Sequence, residues 1–246
     1  MGSRLGMGKG KSLLQLLIGL LALIATPAVQ AQELKPICPD RGAIQACTLD
    51  AGHLELEMSL ADWVSDSSHT LLLGDTVVRL GLNDTTEIQL GISPWVHKAW
   101  GVGHSDLKLT LRHRLATGPI SLAIQPMITL PVGSKKLTQG HIGAGIAMSA
   151  TWDVNPNTQF YLTPYSILSS PRLVGTFIGV NQTVKGPLGA NLEFMAQRQS
   201  HVDQASVDMG LTYTIGENLE FDLSSNLGIN RNTPDVELVF GVSRRF

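Results

Sequence analysis

Between Thr76 and Leu115 aliphatic and polar residues alternate with a period of two. Val78, Leu80 and Leu82 alternate with Arg79 and Gly81; Ile88, Leu90 and Ile92 alternate with Glu87, Gln89 and Gly91. A polar turn at Asn83, Asp84 and Thr85 joins these two runs. Leu107, Leu109 and Leu111 then alternate with Asp106, Lys108, Thr110, Arg112 and Arg114. Successive side chains of a strand point to opposite faces, so each run predicts a two-faced antiparallel strand.

The rest of the chain repeats this unit. Strands are predicted at His53–Val64, Thr76–Leu82, Thr86–Ile92, Ser105–Leu115, Ile120–Val132 and Ile142–Val154. Six more follow at Gln159–Leu168, Leu173–Val184, Ala190–Gln199, Ala205–Ile215, Leu219–Asn230 and Val236–Phe246. In the first, Leu54, Leu56, Met58 and Leu60 form one face, and Glu55, Glu57, Ser59 and Asp62 the other. Pro164 is expected to interrupt the seventh strand, and Gly175 and Gly179 to loosen the eighth. No stretch after residue 31 predicts a helix of any length.

Strands of roughly ten residues match the length a tilted membrane strand requires. Short turns at 83–85, 116–119, 155–157, 185–189 and 216–218 alternate with loops at 64–70, 93–104, 133–140, 200–204 and 230–235. An even strand number with short turns on one rim is the pattern of outer-membrane barrels. Trp152, Phe160, Tyr213, Phe221 and Phe246 lie near the short turns or the C-terminus, as an interfacial aromatic ring would. The expected fold is therefore all-β, a single antiparallel transmembrane β-barrel of about 12 strands. The alternative is a soluble barrel or sandwich with the aliphatic face turned inward. Alternation does not choose between them, and an aromatic content of 5% is thin for two full girdles.

The first 31 residues change the compartment. Arg4, Lys9 and Lys11 precede an apolar run from Ser12 to Ile24, and Val29 and Ala31 occupy the −3 and −1 positions of a cleavage site. This predicts a signal peptide over residues 1–31, cleaved after Ala31. The remainder carries 15 basic against 20 acidic side chains, a net charge of −5. That balance leaves no basic patch for nucleic acid. Cys38 and Cys47 are expected to form a disulfide within an irregular N-terminal loop, 32–51, ahead of a barrel spanning 52–246.

With the aliphatic face on lipid, the polar face lines the lumen. Its predicted members are Asp75, Arg79, Glu87, Lys108, Arg112, Arg114, Glu193, Glu220, Asp222, Glu237 and Arg245, with Gln89, Asn191, Gln197 and Asn226 between them. They line a conduit or brace the barrel as a charge ladder, and for a single residue the bracing role is favoured. The N-terminal loop either enters the lumen as a plug or lies below it. His69, His97, His104, His141 and His201 fall in or beside the loops without tight ligand spacing, and are read as solvated rather than metal-binding. No serine sits in a Gly-Xaa-Ser-Xaa-Gly setting. Gly101 and Gly103 lack the third glycine of a phosphate loop. The reading assigns no catalytic residue, metal or cofactor.

Two segments carry a family resemblance: Val78-Arg79-Leu80-Gly81-Leu82-Asn83-Asp84-Thr85-Thr86-Glu87, and Gly101-Val102-Gly103-His104-Ser105-Asp106-Leu107-Lys108-Leu109. With Leu130-Pro131-Val132-Gly133-Ser134 and the closing Phe246, they resemble the outer-membrane proteins labelled for the meta-pathway of phenol degradation, or simply as transporters. Val102 and His104 stand where that family has an aromatic and an acidic residue. The resemblance implies a channel or transporter for small molecules, with apolar or aromatic compounds among them. It also implies the outer membrane of a Gram-negative bacterium, a lipid-bilayer environment, and Phe246 as the signal read by the outer-membrane assembly machinery. The alternatives are an outer-rim barrel enzyme acting on lipid or peptide, and a non-transporting barrel with a binding or structural role.

Overall fold

The computed structural model describes residues 38–39, 45–66 and 69–246. The predicted signal peptide and most of residues 32–44 lie outside the described residues. The elements are β1 (Leu54–Ser65), β2 (Thr70–Leu73), β3 (Asp75–Asn83), β4 (Thr86–Ile92), β5 (Trp95–Lys98), β6 (Gly101–Gly103), β7 (Leu107–Ala116) and β8 (Ile120–Leu130). They continue as β9 (Gly143–Asn155), β10 (Thr158–Ile167), β11 (Leu173–Lys185), β12 (Leu188–Gln199), β13 (Val202–Ile215), β14 (Leu219–Gly228) and β15 (Val236–Arg245). All pairings are antiparallel between neighbours, and β15 pairs back onto β1, with Met58 opposite Val242. The sheet therefore closes into a barrel of twelve strands: β1, β3, β4 and β7 through β15. Closure removes the free edge that an open sheet presents.

Which face meets lipid is decided by what the barrel encloses. Among its most deeply buried side chains are Arg79, Arg112 and Arg245, each at most 1% exposed, with Glu55 and Glu87 beside them. The outer surface carries Leu82, Leu111, Ile120, Met148, Leu192 and Leu223, the last 56% exposed. A soluble barrel places these sets the other way round, because burying aliphatic surface is its main driving force. Here the aliphatic side faces outward on every barrel wall, as a bilayer-spanning barrel requires. Cross-strand pairs Trp152–Phe160 and Tyr213–Phe221 sit on that outer face at the short-turn rim. At the opposite rim Trp63 and Trp95 stack on His69 and His97. Both interfaces thus carry amphipathic rings, despite the low aromatic content.

Several expectations are corrected. The segment 93–104 is not simply a loop, and residues 70–73, left unassigned between the expected loop at 64–70 and the strand at Thr76, form a strand of their own. β2 pairs with the end of β1 through Asp62–Val64, β5 pairs with β2, and β6 with β5. They extend β3, β4 and β7 past the closed barrel, and the breaks at Gly74 and at Ser93–Pro94 interrupt the periodicity that would have betrayed them. The expected loop at 200–204 is a two-residue turn, Ser200–His201, with both φ angles positive. In β1 a bulge between Ser59 and Ala61 takes Leu60 out of the outward row. Asp62 then reaches the polar face despite sharing parity with Leu54, because one extra residue reverses the alternation. Pro164 does not break β10; it falls in a short gap in pairing with β9, while the ladder to β11 continues.

Candidate functional site

The polar face converges on a narrow interior, where charges must find partners because water is scarce. On the wall built from β1, β3, β4 and β7, Arg79 is the hub. Its Nη1 donates to Glu55 Oε1 at 2.9 Å and Glu57 Oε1 at 2.6 Å, and its Nε donates to Glu87 Oε1 at 3.0 Å. Arg112 lies 3.4 Å from Glu87 and donates from Nε to Gln125 Oε1 at 2.7 Å. Two cations are thus held against three carboxylates in register across adjacent strands.

The N-terminal segment enters this network. The Leu49 N–H donates to Glu87 Oε2 at 2.7 Å, and the Ala46 N–H to Thr151 Oγ1 at 3.1 Å. Arg112 Nη1 donates to the Cys47 carbonyl at 3.1 Å, and Arg79 Nη1 to the Cys38 carbonyl at 2.8 Å. Cys38 and Cys47 are disulfide-bonded. A chain inside a lumen needs its backbone groups satisfied, and the charged wall supplies those partners. Gly81 permits the approach: a Cβ there would collide with the Asp50 carbonyl oxygen and lie 2.8 Å from its carbon. Of the two placements open in sequence, the structure shows residues 46–49 seated in the lumen at the short-turn end.

The wall from β12 to β15 adds Glu193, Asp208, Glu220, Asp222 and Glu237 to the polar face. Glu57 of β1 and Asp75 of β3 join Glu193, Asp208, Asp222 and Glu237 in lining a cavity of about 300 Å³, whose described lining residues include no Lys or Arg. Asp75 accepts from Ser93 Oγ at 2.6 Å, and Glu237 Oε2 from Asn226 Nδ2 at 3.3 Å. Asp222 Oδ1 packs against Gly241, where a Cβ would leave it no room. Glu220 accepts from Thr214 Oγ1 at 2.9 Å, lining a second cavity of about 770 Å³ at the short-turn rim. The remaining predicted residues lie apart: Lys108 is exposed at the long-loop end, and Arg114 donates to the Asp84 carbonyl at the short-turn rim. Phe246 exchanges backbone hydrogen bonds with Leu54 at 2.8 and 3.3 Å, and its ring sits under Arg244, 5.8 Å away. Among the described residues no His, Cys, Asp and Glu group is arranged to hold a metal ion.

No protein-family model matches the chain, and no curated protein matches it. Solved structures do. An outer membrane channel from Pseudomonas putida F1 is 14% identical, with a TM-score of 0.62 over 85% of this chain and 100% of its own. The NanC porin is 8% identical, with a TM-score of 0.60 over 78% of this chain and 98% of its own. This chain folds as an outer-membrane-type β-barrel. The likeness establishes the fold and leaves the specific phenol-degradation label without support from a family match.

Three aromatic residues of the barrel interior escaped the sequence reading. Tyr161 and Tyr165 on β10 point inward and donate to Glu193 Oε2 at 3.0 Å and Gln197 Oε1 at 2.7 Å, two strands away. They cross β11 over Gly179 and Gly175, so these glycines make room for rings rather than loosening a strand. Phe177, between the two glycines, stacks on Tyr165 with centroids 5.0 Å apart and lines the acidic cavity. The signal was parity: Phe160 and Leu162 face outward, which turns Tyr161 inward.

Proposed function

We propose that this barrel is an outer-membrane channel for small polar solutes, passing cations ahead of anions. The observation that supports the reading is the acidic cavity, lined by Asp75, Glu193, Asp208, Asp222 and Glu237 beside the Arg79-bound Glu57, with no lysine or arginine among its described lining residues, inside a barrel whose outer face is aliphatic. A ring of like charge in a pore raises the local concentration of the opposite ion and excludes the same sign. In this reading the signal peptide is cleaved after Ala31, the short turns face the periplasm, and Trp63 and Trp95 mark the outer interface.

Reversal potentials in planar bilayers under a potassium chloride gradient test the sign of the selectivity. Cation preference, weakened by Glu193→Gln combined with Asp208→Asn, is the expected result. An absence of conductance, or a preference for chloride, overturns it. The apolar or aromatic solutes implied by the family resemblance find one supporting feature, the Tyr165–Phe177 stack, and liposome swelling with phenol against a sugar of similar size distinguishes them. The seated N-terminal segment supports a second reading, a barrel closed at rest. A silent native protein with a conducting variant lacking residues 32–50 would select it.

A further inference from the structure

The acidic cavity of about 300 Å³ and the short-turn cavity of about 770 Å³ of the lumen share a single lining residue among those described, Asn191. The second is also lined by Cys38, Pro39, Gln45 and Cys47, so the disulfide-bonded segment and Asn191 border one space. The position of Asn191 is built rather than incidental. In register it opposes Gly210 on β13, and a Cβ on Gly210 would collide with Asn191 Oδ1 and lie 3.1 Å from its Cγ. The missing side chain lets the amide lie across the neighbouring strand, where Nδ2 donates to Asp208 Oδ1 at 2.9 Å. The side chain is thereby fixed at the junction of the two spaces.

We infer that Asn191 forms the waist of the permeation route and is its size-determining residue. The route runs down the β10–β14 wall, because residues 45–50 occupy the wall of Arg79 and Arg112. A solute leaving the acidic cavity passes between the Asn191 amide and the N-terminal segment. A neutral amide at this point offers a donor and an acceptor to a solute shedding water, without trapping an ion as a carboxylate there would. This inference rests on the channel reading and adds the place where passage is decided.

The test uses the full-length protein refolded in detergent, with folding checked by heat-modifiable migration. Asn191→Cys is modified after folding with a charged methanethiosulfonate, which avoids any folding defect of a bulky variant. The expected result is a several-fold fall in single-channel conductance on modification. The same treatment of Thr183→Cys, which lines only the wider short-turn cavity, should change it little. Asn191→Gly should raise the size cut-off for neutral sugars in liposome swelling. Conductance that is present but unmoved by either change at position 191 overturns the waist while leaving the channel intact. A native barrel that conducts nothing overturns both.

Discussion

Tyr161 reaches Glu193 by lying across Gly179: the three are in register on β10, β11 and β12, and the hydroxyl donates to Oε2 at 3.0 Å. The ring covers backbone that a glycine leaves bare, while the acid gains a partner within the lumen. A Cβ on Gly179 would lie 2.5 Å from Tyr161 Cζ and 2.7 Å from the Leu192 carbonyl oxygen. The second contact is backbone, which has little room to give. Gly179→Val should therefore cost roughly 1–3 kcal/mol through overpacking. The check is the urea midpoint of the refolded barrel; an unchanged midpoint would show that the ring moves freely.

Arg79 holds three carboxylates, and its removal takes the paired cation from the buried Glu55 and Glu57 while Glu87 keeps Arg112. Arg79→Ala is expected to destabilise the barrel by about 3–5 kcal/mol, far more than an exposed pair would contribute. Loss of folded, heat-modifiable protein at intermediate urea measures it. Combining Arg79→Ala with Glu57→Gln should restore part of the loss, since one uncompensated charge disappears.

At Gly81 the wall leaves room for the backbone of Asp50, and the Gly52 N–H donates to the Gly81 carbonyl at 2.8 Å. Gly81→Leu should expel residues 45–50 from the lumen while β3 and β4 keep their ladder. Limited proteolysis within 45–50 and an increased conductance are the paired readouts. A barrel with unchanged protease resistance would mean that the segment is held by its polar contacts alone.

Asp106 anchors the loop from 133 to 140 outside the spanning strands, accepting from the Gly133 and Gln139 N–H groups at 2.8 Å each. Partial burial acts to raise its pKa, but those donors, the Thr138 hydroxyl and nearby His104 outweigh it and hold the carboxyl below its usual range. A depressed folded-state pKa means that the anchor is at full strength above the ordinary carboxylate value of about 4. It is lost as pH falls through the lower, folded-state value. Cleavage of this loop by pepsin should rise steeply only below the ordinary value, and Asp106→Asn should be cleaved faster than the native chain at pH 4.

The sequence by itself determined the strands. Period-two alternation placed all twelve barrel strands within a few residues, because an antiparallel strand with one aliphatic side writes its geometry into every second residue. Cys38 and Cys47 were also legible, being the two cysteines of a chain read as exported. What alternation does not encode is which face is inside. Only closure of β15 onto β1 enclosed Arg79, Glu87 and Arg112 and left Leu82, Leu111 and Leu223 outside. The positions of Asn191, Tyr161 and the N-terminal segment were likewise decided in three dimensions. Each depends on a glycine, Gly210, Gly179 or Gly81, that gives way to a side chain or backbone distant in sequence. Such a complementarity leaves no period behind, because it joins two residues across strands rather than repeating along one.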